Sequence, residues 1–343
     1  MFADNKFDFL YKYDSEINWN VTGFGNEILM YIVDEYINHL QEFNVTIPIK
    51  TIHGSYISKY NGGRLALYTR PISYVCDKIK HFNNLGIGVK LTFSTPNINK
   101  EMFDDTELNT YLEVLNDTPN LNNGIICSVD NFAEFIHNKY PNIEVTSSYV
   151  KMATETQMGK TDTFEYYNRL FNIYDKVVVN TFRAFDDDFI ENIIYKDRIE
   201  FIVNNGCNVN CPIAIKHYDA MYRYSQRIKY LYENKLLNKI DPQLELIQKD
   251  LLKIGNNCLS RRNNKNIDNI KYQQINRNEI NILLKKGIKN FKIEGRDINF
   301  DYFRTILFTY IFNNDSILRL YSLNPGENIV NDWNRHKLIF NDI

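Results

Sequence analysis

The chain has 343 residues, of which 44% are hydrophobic and 24% charged, with a net charge of −2. This composition excludes a disordered chain, and the near balance of charge gives no overall pull toward nucleic acid or an anionic membrane. Five cysteines, an odd number, fit a reducing compartment better than a disulfide framework, and no apolar run approaches the ~20 residues of a membrane helix. The opening MFADNKFDFLYKYD lacks the basic-then-apolar order of a secretory signal. The expectation is a cytoplasmic protein with no membrane partner.

Residues 1–45 read as an N-terminal segment with one helix. Ile28, Leu29, Ile32, Val33, Tyr36, Ile37 and Leu40 recur at helical spacing between Glu27 and Glu42, and this helix is expected to plug or flank the main fold. From 46 to 315, short β-branched runs alternate with longer amphipathic stretches, the pattern of repeated βα units. Strands are expected at 48–53, 88–93, 124–127, 144–148, 176–180, 198–204, 272–275 and 290–294. Helices are expected at 72–84, 105–116, 131–139, 163–173, 187–194, 212–233, 277–286 and 301–312. Start signals support the boundaries: Asp130 precedes one helix, Asp162 precedes another with Glu165 three residues on, and Asn276 is followed by Glu279.

Eight such pairs suffice to close a barrel. The predicted fold is α/β, a (β/α)8 TIM-type barrel with an extra N-terminal helix, and a helical insertion between strands six and seven. That insertion, 234–271, reads as a helix plus a loop. Residues 316–343 are expected to pack on the barrel as a C-terminal extension.

Active sites of such barrels sit where the strands end, which directs attention to the residues just after each strand. His53, Asn180, Asn204 and Glu294 each close a predicted strand, and together with Arg296 they are expected to line one polar cavity. Asn180 and Asn204 would hold a cofactor, with His53, Glu294 and Arg296 as catalytic candidates. Arg296 can pair with Glu294 structurally, or hold a carboxylate or phosphate in a two-point fork. The segment IEFIVNNGCNVNCP places Cys207 and Cys211 four positions apart after a glycine turn. Such a pair can share a metal ion or be two buried thiols. Cys258 lies in the polar stretch IGNNCLSRR, where a cysteine has no evident packing role, whereas Cys76 and Cys127 read as core thiols. The three cysteines admit a cubane iron–sulfur cluster, or zinc with His217 as fourth ligand. His217 is equally readable as a helix-surface histidine. A radical S-adenosylmethionine site would want a cysteine at the position of Ala214.

Residues 175–312 resemble the collagenase-like peptidase family, peptidase family U-thirty-two. The run Lys292–Ile293–Glu294–Gly295–Arg296, preceded by Gly287–Ile288 and followed by an aromatic-rich helix, carries most of the likeness. The segment from Glu200 through Gly206 to Cys211 is similar more loosely, with a shorter gap between its cysteines. The resemblance implies a TIM barrel with an iron–sulfur cluster held by Cys207, Cys211 and Cys258, completed by His217 or an exogenous ligand. It also implies oxygen-independent modification, such as hydroxylation of RNA or of an aromatic precursor, and a partner subunit of the same family. A zinc-dependent hydrolase or peptidase and a non-catalytic binding or partner subunit are the alternatives. Neither an H-E-x-x-H zinc motif nor a G-x-S-x-G elbow is present. A small anionic ligand or RNA is the expected substrate class. Lys253, Arg261, Arg262 and Lys265 make one modest basic patch.

Overall fold

The computed structural model describes residues 16–42, 48–63, 66, 68–159, 162–207, 211–263 and 274–295, with 303, 306, 307, 310 and 311; the side chains of 39–42 and 258–263 lie outside the description. Eight parallel strands close into one barrel in chain order. They are β1 (Asn18–Phe24), β2 (Ile49–Gly54), β3 (Gly88–Phe93), β4 (Gly124–Cys127), β5 (Glu144–Ser147), β6 (Lys176–Val179), β7 (Ile199–Ile202) and β8 (Asn290–Ile293). The last strand pairs back onto the first, with Trp19 beside Phe291 and Asn20 beside Lys292. The α/β barrel class is therefore as expected.

Around it run α1 (Glu27–Glu42), α2 (Ile72–Asn84), α3 (Thr106–Asn116), α4 (Asp130–Lys139), α5 (Tyr149–Gln157), α6 (Phe164–Leu170), α7 (Asp187–Asn192), α8 (Ala214–Glu233), α9 (Pro242–Asn263) and α10 (Arg277–Lys285). Phe303, Ile306, Leu307 and Tyr310 are helical and buried, and Tyr310 packs against Trp19 with ring centroids 6.1 Å apart. Local chemistry sets several starts. Asn276 and Glu279 form a reciprocal capping box on α10, and Thr163, rather than Asp162, caps α6 through the Tyr166 amide.

Two expectations need correction. The helix over Glu27–Glu42 is not an addition to the barrel: it is the first crossover, because β1 precedes it as a barrel strand, so the barrel begins at Asn18 and not at residue 46. The count of eight was filled instead by 272–275, of which Gln274 makes only an isolated antiparallel bridge to Asn204. The physical reason is the same for both. A parallel strand covered on both faces normally reads as a continuous apolar run, whereas Asn18–Trp19–Asn20–Val21–Thr22 alternates. The insertion consequently falls between β7 and β8, and α9 extends to Asn263, so Cys258 is a helical residue and not a loop residue. Residues 316–343 lie outside the described residues.

The alternation has a structural meaning. Asn20 on β1 reaches Glu200 on β7, and Lys90 on β3 reaches Glu144 on β5. Each contact skips a strand, which only the barrel interior allows. The opposite positions, such as Trp19, Val89, Leu91, Phe201 and Phe291, belong to the hydrophobic layer between sheet and helices. Most barrels fill their interior with branched aliphatic side chains. Here the interior is largely polar. At the end of β2 the backbones approach so closely that a Cβ on Gly54, whose φ is +153°, would lie 1.8 Å from the Phe24 carbonyl oxygen.

Candidate functional site

Two polar networks occupy the barrel interior. In one of them Lys90 donates to Glu144, and to the Thr146 hydroxyl at 3.3 Å, while Lys176 lies 3.1 Å from the other Glu144 oxygen. Burial alone would push the Glu144 carboxyl up; the Lys90 and Lys176 ammoniums outweigh it and hold it below its usual range. In the other the His53 ring meets Asn20 Oδ1 at 2.9 Å, Asn20 Nδ2 donates to Glu200 Oε1 at 3.0 Å, and Lys292 Nζ lies 3.9 Å from Glu200 Oε2. All four side chains are buried.

Past Asn20 and Lys90 the inward positions at the strand ends are small and polar. Thr22 lies two residues past Asn20 and Thr92 two past Lys90, so both share the interior face. The hydroxyls of Thr22, Thr92 and Ser94 and the Oδ1 of Asn180 are buried without a hydrogen-bond partner among the described residues. Asn180 is otherwise engaged: its Nδ2 donates to Asp162 at 3.2 Å, and its backbone N–H donates to the Tyr167 hydroxyl. Burial raises the Asp162 carboxyl, against the hydrogen bond from Tyr167 and the charge of Arg183.

Asn204 has a different position from the one its sequence suggests. Its Nδ2 donates to the Glu294 carbonyl and its Oδ1 accepts from the Glu294 N–H, both at 2.8 Å. The side chain thus extends the β7–β8 ladder by one rung.

Cys207 and Cys211 leave β7 at the same rim. Both are thiols, half-buried and packed against the core edge. Tyr149 opens α5, Tyr218 lies in the first turns of α8, and both face this pair. Burial pushes their hydroxyls far above the usual tyrosine range, and Cys207, Glu294 and Cys211 add to that electrostatically. Asn205 stands beside Tyr149 and accepts from the Cys207 amide at 2.9 Å. His217 instead stacks on Tyr218, with centroids 5.3 Å apart and planes 14° from parallel. Among the described residues no three His, Cys, Asp or Glu side chains are grouped to hold a metal ion. The described donors therefore do not by themselves make a metal centre. The Cys258 side chain and all of Arg296 lie outside the described residues.

The mouth is covered. Helix α8 starts beside α5, where the Ile215 N–H donates to Gln157 Oε1 and Gln157 donates to the Pro212 carbonyl. It ends beside the opposite strands: Gln226 donates to the Lys59 carbonyl after β2, and Lys229 to Glu107 at the start of α3. Twenty residues span ~30 Å, enough to cross a barrel of this size. Ala214, Tyr218, Met221, Ser225 and Lys229 are buried at helical spacing and form the face turned to the barrel, while α9 packs alongside.

No protein-family model and no curated protein matches this chain. Among solved structures, one of a U32 peptidase is similar over 66% of this chain and 80% of its own, at 12% identity and a TM-score of 0.43. An HpcH/HpaI aldolase from Desulfitobacterium hafniense is similar over 92% and 96% respectively, at 8% identity and a TM-score of 0.29. These are distant likenesses, and neither bears on activity.

Asn20, Tyr149 and Tyr218 escaped the sequence reading, and Glu200 and Lys292 entered it only within the runs that carry the resemblance, not as site residues. A signal for Asn20, Glu200 and Lys292 existed: they occupy one phase of the period-2 alternation in strands that are covered on both faces. Tyr149 and Tyr218 carry no local signal, since buried aromatics on helices are ordinarily core.

Proposed function

We propose that this barrel is an enzyme acting on a small, strongly polar ligand, anionic in class, held between the strand ends and α8. One observation carries the reading: the mouth buries the Thr22, Thr92 and Ser94 hydroxyls and the Asn180 side-chain oxygen without hydrogen-bond partners among the described residues. An unpaired buried polar group costs about 1–3 kcal/mol, so four in one mouth favour an occupant that supplies hydrogen bonds. Lys292 and His53, buried in the same interior, favour one that carries negative charge or a transferable proton. The test is thermal unfolding and calorimetry of the full chain against a panel of small carboxylates, phosphates and neutral polyols. Stabilisation by an anionic compound that is lost in Thr22→Val plus Thr92→Val supports the reading. Equal response to all three classes, or none, would sink it.

A second reading is favoured by the shared surroundings of Cys207 and Cys211. In it the two thiols join Cys258, or a donor from the ligand itself, in an iron–sulfur or zinc centre. The chemistry would then be the oxygen-independent hydroxylation of RNA or of an aromatic precursor that the resemblance implies, or hydrolysis if the metal is zinc. The metal content of anaerobically purified protein tests this. Iron and sulfide, or zinc, in stoichiometric amount and lost in each of Cys207→Ser, Cys211→Ser and Cys258→Ser supports it; full occupancy in any one of the three rules out the triad. No metal in the wild type leaves the thiols as side chains of the first reading or of a binding scaffold.

A further inference from the structure

We propose that Asn20 and Glu200 are positioning residues that hold His53 with its proton on Nδ1, which leaves the lone pair of the ring on Nε2. The inference rests on the mouth being an active site and adds the direction in which its histidine works.

The argument follows the hydrogens. A carboxylate accepts and cannot donate, so the contact between Asn20 and Glu200 Oε1 at 3.0 Å must use the Asn20 amide nitrogen. That fixes which way the Asn20 carboxamide faces. Its other end, Oδ1, then lies 2.9 Å from His53 Nδ1. A carbonyl oxygen accepts only, so Nδ1 must carry the hydrogen. A neutral imidazole has one N–H, and the second nitrogen is left basic. Lys292 Nζ, 3.9 Å from Glu200 Oε2, stands at the far end of the chain.

Three strands supply the parts. His53 is on β2, Asn20 on β1 and Glu200 on β7, with relative exposures of 3%, 2% and 1%. At such burial water does not compete for the bonds, and the backbone frame leaves little freedom for the ring to turn. The arrangement resembles in logic a carboxylate that orients a catalytic histidine through its Nδ1–H, with an amide interposed. A network that only filled space could be replaced by the branched side chains usual in barrels, since buried ion pairs add little net stability.

The experiment is nitrogen-15 and carbon-13 NMR of histidine-labelled full-length protein at a pH of about 8.5, where a histidine is ordinarily neutral. The His53 signals are assigned by their loss in His53→Gln. The expected wild-type ratio of Nδ1–H to Nε2–H is about ten or more, the factor that one net hydrogen bond supplies. In Glu200→Gln the new carboxamide turns its oxygen toward Lys292 and its nitrogen toward Asn20. The Asn20 carboxamide then reverses, donates to Nδ1 and moves the proton to Nε2, so the ratio is expected to fall below about one. Asn20→Ser, which removes the carboxamide, is expected to abolish the bias as a second, smaller change. A wild-type His53 protonated at Nε2 overturns the proposal without any variant, and an unchanged ratio in folded Glu200→Gln does so too. The tautomer is read without a ligand, so failure of the binding panel and failure of this inference are separate results.

Discussion

Both ends of the Asn204 carboxamide are bonded to the backbone of Glu294, so that side chain acts as a piece of sheet. Asn204→Ala is expected to destabilise the protein by about 1–3 kcal/mol, the range for losing bonds to half-buried backbone groups, as measured by urea unfolding. Asn204→Asp should recover little, because a carboxylate cannot donate to the Glu294 carbonyl. The cysteines separate by the same kind of reasoning. Cys127 is fully buried, and burial pushes its thiol up to about 12. Cys76 is also raised by burial. Cys207 and Cys211 are only half-buried. Native-state labelling with a thiol reagent, mapped by mass spectrometry, should modify Cys207 and Cys211 while Cys127 stays unreacted until the protein unfolds. Labelling of Cys127 at a comparable rate would contradict the described packing.

At the scale of elements, α8 determines access to the mouth. Its far end is held by Lys229 and Glu107, 2.9 Å apart with side chains only 10% exposed, and by Gln226 on the Lys59 carbonyl. Lys229→Met leaves a buried carboxylate whose remaining described partner is the Tyr111 hydroxyl. The expected result is a local weakening of about 1–3 kcal/mol, seen as roughly tenfold or faster amide exchange in α8 with the strands unaffected. Cys207 and Cys211 should label faster in parallel. Strand β1 is the other decisive element, since it joins β2 to β8. Deleting residues 1–45 would open the barrel and expose two sheet edges, so that fragment is expected to lack near-ultraviolet circular dichroism and to aggregate. A monomeric, cooperatively folding fragment would mean that β1 is dispensable.

For the whole molecule, the polar interior predicts how stability follows pH. The Glu144 carboxyl sits below its ordinary value of 4.5 in the folded state. The unfolded chain therefore takes up that proton first as pH falls. The stabilisation is fully present above about pH 4.5 and is lost as pH drops through the folded value. Lys176 is held below its ordinary 10.5 by burial and by Lys90. The unfolded chain keeps that proton to higher pH, so this group makes stability rise with pH in the window just beneath 10.5. Glu144→Gln leaves two buried ammoniums without their carboxylate and is expected to lower stability near neutral pH by about 3 kcal/mol or more. The gap from wild type should close in acid. A gap independent of pH would show that the loss is one of packing.

Periodicity by itself determined that the chain alternates strand and helix, and located seven of the eight barrel strands to within a few residues. Those signals are local: the apolar spacing of α2 and the Asn276–Glu279 box on α10 depend on neighbours a few positions away. The cysteine pair after β7 and the rim positions of His53, Asn180 and Glu294 were legible for the same reason, because each follows a recognisable strand. Which strand closes the barrel was not legible. The polar phase of β1 is stabilised by Glu200 and Asn290, 180 and 272 residues away along the chain. Tertiary structure alone decided that Asn204 bonds backbone rather than ligand, that α8 crosses the mouth, and that His53, Asn20, Glu200 and Lys292 form one chain of contacts. A single strand carries the alternation of its side chains, but the partner that makes a buried polar residue tolerable comes from a strand elsewhere in the sequence, and only closure of the barrel brings the two within hydrogen-bond reach.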